Sequence, residues 1–564
     1  METRNCQNCK SDFVIDQDDF GFYAKMKVPL PTFCPECRSI RRMSHTNERV
    51  LYYRNCDLTG QKILSMFAEK TKFPVYHPEE WYGDKWDPYA YGQEYDFSRP
   101  FFEQFHELFN KVPRMATVRQ GMSVNSEFTH RVHDMKNSYM VFRMSGSEDS
   151  SYCYVGRNIL NCVDCLSIWD SELCYECIDC NNCYKAVYCQ ESHDCRESYF
   201  LYSCRNCSDC VGCVNLINQS YCIFNEKYSK EEYFKKIKEF KLDTASGIKD
   251  FAHKFDEFRK QFPQRATHSF KTNDSTGNWL VNCQNVHNSF GCLNVKDGKY
   301  LIWIFNAQDC MDYFQWGNSS ERIYESENCG INSSNIRFSS QCWMGAQDLT
   351  YCDSCPGSKN CFGSIGLKKG EYSILNKKYS REEYFQMIEK IQKHMNEMPY
   401  VTKQGIVYPF GENFPTEISP FAYNETAASD FYQTTKDEAL LLGYTWKDLD
   451  KKHYEATVKT IPETISEVSD SITKEVLECA EKDNPDSVGA FKITQDELAF
   501  YRKMNIPLPR ESFNIRHLKR LNRRPKLKLL NRDCTKCGIK IKTVYTKEFS
   551  PIIYCESCYQ QEVV

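Results

Sequence analysis

The chain has 564 residues, 41% hydrophobic and 26% charged, with a formal net charge of −4 and 32 cysteines. That length admits roughly two to four domains and the composition excludes a disordered chain, while the near-balanced charge excludes attraction of the whole surface to nucleic acid or anionic membrane, leaving only local patches. The opening METRNCQNCK lacks the apolar stretch of an export signal, and apolar runs such as ALLLGY at 439–444 fall far short of the roughly 20 residues of a membrane helix, so a cytoplasmic protein with reduced thiols is expected.

Residues 1–94 begin with Cys6-x2-Cys9 and, 24 residues on, Cys34-x2-Cys37. Two thiolates on a tight knuckle, joined by a second pair, make a closed tetrahedral site, so these four cysteines predict a zinc ribbon. Residues 483–564 carry the same pattern in Cys534-x2-Cys537 and Cys555-x2-Cys558, with 17 residues between the pairs. The ends are also copies of each other: FVIDQDDFGFYAKMKVPLP at 13–31 matches FKITQDELAFYRKMNIPLP at 491–509, an offset of 478. Carried through, that offset places Cys6, Cys9, Cys34 and Cys37 on Asn484, Ser487, Ser512 and Ile515. The second set falls on Cys56, Thr59, His77 and Glu80. Each copy is thus expected to keep one of two metal positions, with Cys56, His77 and Glu80 read as a weak metal remnant or as a buried thiol beside surface residues.

Together with CPECR at 34–38 and YDFSRPFFEQF at 95–105, these motifs resemble an uncharacterised zinc-ribbon family of small-genome candidate-phyla bacteria, over most of the chain. Some members bear a CaiB/BaiF CoA-transferase label, but this sequence has no doubly wound pattern and no nucleotide-type glycine loop. The resemblance implies zinc binding and supplies no activity.

Residues 95–228 open with a helix and continue as a cysteine-rich segment. Every cysteine from 153 to 222 falls in one three-residue phase, whose other positions up to 213 hold small or apolar residues such as Gly156, Ile159, Ser171 and Ala186. A superposed period of 21 aligns Cys153, Cys174 and Cys195. Such repetition predicts a β-solenoid whose narrow interior uses cysteine as a small hydrophobe. The competing reading, iron–sulfur ligation by Cys174, Cys177, Cys180 and Cys183 and by Cys204, Cys207, Cys210 and Cys213, lacks the spacing and proline of ferredoxin runs.

Residues 229–267 are expected to form a helical insertion. Ser229 with Glu232 makes a capping box, and Phe251, Phe255, Phe258 and Phe262 follow at helical spacing, in a helix expected to run to about Phe262. A second solenoid block is expected over 268–379, where Cys292, Cys310 and Cys329 step by 18 and 19, one rung each. Ser380 with Glu383 starts another helix, and 380–482 reads as helices near 436–452 and 464–482 around an irregular connector. The fold class is therefore mainly β with helical insertions, two ribbon modules bracketing a two-block solenoid.

No catalytic constellation stands out. His77, His130, His133, His193, His253 and His268 are scattered, the His130/His133 pair would point to opposite faces of a strand, and closed four-thiolate sites leave no position for an activated water. A non-enzymatic zinc-binding scaffold for a macromolecular partner is expected, with two zinc ions, no membrane and no small-molecule substrate. Alternatives are an iron–sulfur electron carrier and an RNA- or ribosome-binding protein. The last would use the basic stretch Arg516, Lys519, Arg520, Arg523, Arg524, Lys526 and Lys528, with Arg38, Arg41, Arg42, Arg49 and Arg54 as its N-terminal counterparts.

Overall fold

The computed structural model describes residues 1–448 and 455–563. Its centre is built from parallel pairing at short, constant separation: Phe142 lies beside Tyr154, Tyr154 beside Leu166, Tyr184 beside Arg196 and Ser208 beside Ser220. Each turn of chain is twelve residues long and lies directly on the one before. A second stack repeats this from Gln284 beside Lys296 to Lys359 beside Glu371, lengthening to thirteen residues at Glu321 beside Ser334 and Ser334 beside Gln347. The turns are thus shorter than the 18, 19 or 21 residues that the cysteine spacing suggests. Those intervals count whole triplets or nearly so, but return the chain to a different side of the stack.

Backbone geometry explains the triplet. Every third residue from Tyr152 to Phe224 has φ in the left-handed region, among them Asn158, Asp164, Asp170, Asp179, Asn182 and Asp194. Four three-residue sides with such a corner between them close a square of twelve. Left-handed corners disfavour most side chains by about 1–2 kcal/mol, and Asn and Asp tolerate them best, which is why these residues recur there. The residue after each corner points inward, where Cys153 through Cys222 form one buried cluster and Cys283 through Cys361 another.

The interior thiols are hydrogen-bonded as well as packed. Cys177 Sγ donates to the carbonyls of Tyr175 (3.6 Å) and Ala186 (3.4 Å), and Cys180 Sγ to those of Ile178 and Cys189, both 3.4 Å. The Ser364 hydroxyl does the same toward Phe362 and Ser373. A small side chain with one donor therefore suits these inward positions, with Ile159, Ile168 and Leu201 filling others, and cysteine adds apolar contact that serine lacks.

Each stack ends in a hairpin, Ser220–Ile223 with Glu226–Lys227 and Glu371–Ile374 with Lys377–Lys378. A capped helix follows each, Lys230–Lys236 from Ser229 and Arg381–Glu397 from Ser380. The first insertion is not one helix: Lys241 turns left-handed and Thr244 caps a new helix, Ala245–Arg259. Phe251 of that helix covers the end of the first stack against Phe200 and Phe224. The helix Phe101–Phe109, which precedes the first stack, covers the second through Phe101 on Tyr351 and Phe362. Further along, a helix spans only Lys436–Leu441, stopped before Gly443 at φ 83°, and 449–452 lie outside the described residues. Residues 464–482 are not a helix but short 3-10 turns, Ile465–Glu467 and Asp470–Lys474, leading into strand Leu477–Glu478.

The terminal modules tie the stacks together. Strand Val75–Tyr76 of the N-terminal module pairs with Arg114–Met115, which leads into the first stack; its copy Ile553–Tyr554 pairs with Gln264–Arg265, which leads into the second. The helices of each module dock on the other stack. Arg38 and Arg42 of helix Pro35–Met43 share Asp312 at 2.8 and 3.2 Å, and Arg42 reaches Glu325, one turn on, at 3.0 Å. Their copies Arg516 and Arg520 of helix Phe513–Asn522 share Asp164, both at 2.9 Å, and Arg520 reaches Glu176, again one turn on, at 2.8 Å. Tyr23 meets Tyr324 edge to face at 5.6 Å as Tyr501 meets Tyr175 at 5.7 Å. The modules also touch each other, through Lys528 on Glu36 and Arg49 on Asn514. Among the described residues no helix is long and apolar enough to cross a membrane.

Two outcomes follow. Cys177→Leu should cost about 1–3 kcal/mol in urea unfolding by overfilling the stack, whereas Cys177→Ser, whose hydroxyl reaches the same carbonyls, should cost much less. Asp164→Ala strands two buried guanidinium groups and should cost about 3–5 kcal/mol, with Glu231→Ala on an exposed helix as the silent control.

Candidate metal centres

Both predicted quartets are assembled. Cys6 follows strand Glu2–Asn5, Cys9 sits on the knuckle, Cys34 caps helix Pro35–Met43 and Cys37 lies in its first turn. Cys534 follows Leu530–Asp533 and Cys555 caps Glu556–Glu562, with Cys558 in that helix. Within each quartet all the sulfurs lie within 4.8 Å of one another. Cys9 and Cys34 are 3.7 Å apart and Cys537 and Cys555 3.8 Å. A tetrahedral ion with metal–sulfur bonds of about 2.3 Å needs sulfurs about 3.8 Å apart, so both quartets fit.

The surrounding amides favour thiolate. Cys34 N–H donates to Cys6 Sγ (3.2 Å), Asn8 Nδ2 to Cys37 Sγ (3.3 Å) and Cys555 N–H to Cys534 Sγ (3.3 Å). Burial raises the Cys534 thiol, but the amides of Cys537, Cys555 and Lys536 outweigh it and hold the group at about 6. Hydrogen bonds from the Cys34 and Cys37 thiols hold Cys6 well below the ordinary thiol range. Cys9 and Cys537 are exposed and the other six are buried, so each site lies at the surface with its fourth ligand open to water.

The lost positions keep one thiol each. His77 N–H donates to Cys56 Sγ at 3.3 Å, copying the Cys555–Cys534 contact, but Thr59 occupies the knuckle, His77 Nδ1 accepts from the Glu79 amide and Glu80 pairs with Lys85. In the C-terminal module the counterpart of Cys6 is Cys479 rather than Asn484: Ser512 N–H donates to Cys479 Sγ at 3.3 Å as Cys34 does to Cys6, and Cys479 N–H bonds Gly489 as Cys6 bonds Ser11. The loop between the paired strands runs 479–489 there against 6–11 in the first copy, so the constant offset of 478 fails before residue 490 and the strand equivalent to Glu2–Asn5 is Leu477–Glu478. Among the described residues only the two complete quartets converge as metal-capable groups, and the stacked thiols at 174–183 and 204–213 instead bond carbonyls.

The basic residues divide. Arg516, Arg520 and Arg524 are buried, with Arg524 on Asp179 at 2.9 Å, and Arg523 lies near Glu176. Arg516, Arg520 and Arg524 hold the module to the first stack and are not open to a phosphate, while the Arg523 side chain stays 36% exposed; burial leaves Glu176 raised to about 7 even against Arg520. Arg38, Arg41, Arg42 and Arg54 are likewise buried, and Arg49 is ion-paired with Asp430. Lys519 is half exposed and held between Glu481 and Glu511; Lys526 and Lys528 are exposed. Amphipathic arginines at i and i+4 on a helix could have signalled an inward face, but only their partners on distant turns reveal it.

No family model matches the chain, and neither does any curated protein. Among solved structures, one from Desulfovibrio desulfuricans G20 provisionally described as an acetyltransferase aligns over 55% of this chain and 92% of its own, at 9% identity and a TM-score of 0.11. So low a score carries no argument about fold or function.

Cys555→Ser should remove one metal equivalent and abolish hydrogen-exchange protection in 530–562 while the stacks stay protected. Metal analysis and exchange on the same sample check this; full protection of 530–562 without the metal would contradict it.

Proposed function

We propose that both quartets hold zinc, that the two stacks are β-solenoids, and that the protein is a non-catalytic scaffold whose outer faces engage a macromolecular partner. The observation that supports this reading most directly is how the thiols divide: the quartets have four each, the stack thiols are spent on carbonyls and packing, and only Cys56 and Cys479 stand alone. Zinc there would fasten each knuckle to its helix, a structural role with no open coordination position. The surface depression beside Arg99, Glu103, His106, Glu107 and Tyr400 offers no nucleophile with a base, and Arg99 is taken by Glu103 and Glu107.

Elemental analysis of anaerobically purified protein with a visible spectrum tests the reading. About two zinc per chain and no iron absorption are expected. Several irons, or well over two zinc, would turn the stack cysteines into metal ligands and overturn it.

A further inference from the structure

We propose that the outer face of the C-terminal ribbon is a docking surface for single-stranded nucleic acid. This rests on the scaffold reading and names the partner class for one face. Lys540 and Lys542 project on one side of strand Lys540–Thr543 while Ile541 between them is turned inward, and Lys526 and Lys547 flank the hairpin, all four exposed. Among the described residues none of these lysines has a carboxylate within ion-pair distance, although Asp533 is the register partner of Lys540 and Glu548 adjoins Lys547. The chain as a whole carries a net charge of −4, so attraction to phosphate has to come from a local group of unpaired ammonium groups such as this one.

The internal copy supplies a control. At an offset of 478, Lys526, Lys542 and Lys547 correspond to Glu48, Leu64 and Glu69, and only Lys540 keeps a lysine, Lys62. The two hairpins pair in the same register, Tyr52 with Ser65 and Leu530 with Thr543. The module therefore folds without these lysines. The arginines that the fold does require, Arg516 and Arg520, have counterparts in both copies and are buried. Basic groups that are unnecessary for docking and open to solvent fit phosphate oxygens, which take up lysine charge with release of counterions. Ile539, next to Lys540 in the chain, is 53% exposed. An exposed apolar side chain beside lysine can pack on an unpaired base, a face that a closed duplex does not offer.

The test is fluorescence anisotropy of full-length, zinc-replete protein with labelled oligouridylate and, in parallel, oligothymidylate, across a salt series. Binding to at least one strand is expected, and replacing Lys526, Lys540, Lys542 and Lys547 together by Gln should weaken it at least about 10-fold and flatten the log–log salt slope by about 3. Unchanged zinc content verifies that the variant is folded, and Lys235→Gln with Lys238→Gln on an exposed helix should leave binding as it was. No binding by the native protein, equal affinity and slope in the quadruple variant, or tighter binding to the same sequence annealed as a duplex would each overturn the proposal. With two zinc and protected stacks retained, such a result would leave the scaffold reading standing.

Discussion

The left-handed corner at every third residue is the constraint on which the architecture depends. It sets the side of the stack at three residues and, in most turns, the turn at twelve, bringing inward-facing residues from four sides close to one axis. The interior is narrow, filled by cysteine and other small residues with Ile, Leu and Val at some positions, and carbonyls of residues that adjoin the corners lie within reach of it. Cysteine satisfies both conditions, being small, apolar and a weak donor. The abundance of cysteine in this protein thus follows mostly from backbone geometry, while the eight terminal cysteines are gathered into quartets that could hold a metal.

The same corners place charge where the modules need it. Asp164 and Glu176 are corner residues on consecutive turns, as are Asp312 and Glu325. Each pair offers carboxylates one turn apart, a spacing that arginines at i and i+4 of a docking helix can bridge. These ion pairs are buried on both sides, so their desolvation offsets much of their attraction; what they supply is register, since any other placement leaves charges unpaired. With strand pairing at the opposite end of each module, the result is two clamps, each joining the lead-in of one stack to the flank of the other.

Duplication followed by divergence accounts for the metal positions. Four knuckles exist, two keep four cysteines, and two keep a single buried thiol that still accepts the amide of the following cap. The incomplete knuckles retain the same kinds of strand pairing and helix docking as the complete ones, and Thr59 is exposed like its counterpart Cys537.

The sequence by itself determined the metal quartets, the duplication, the inward cysteine phase and the capped helices after each stack, because all of these depend on short-range spacing along the chain. It did not disclose the twelve-residue turn, since the triplet phase is satisfied by any multiple of three and the cysteines are absent from some turns. Nor did it disclose Cys479, hidden by a longer loop, or the burial of Arg38, Arg42, Arg516 and Arg520. A guanidinium has the same appearance in a sequence whether it faces water or a carboxylate some hundreds of residues away. Only the tertiary structure decided that these arginines hold the fold together and that lysines on the ribbon hairpin remain free, because burial and ion pairing are set by which turn of which stack lies opposite.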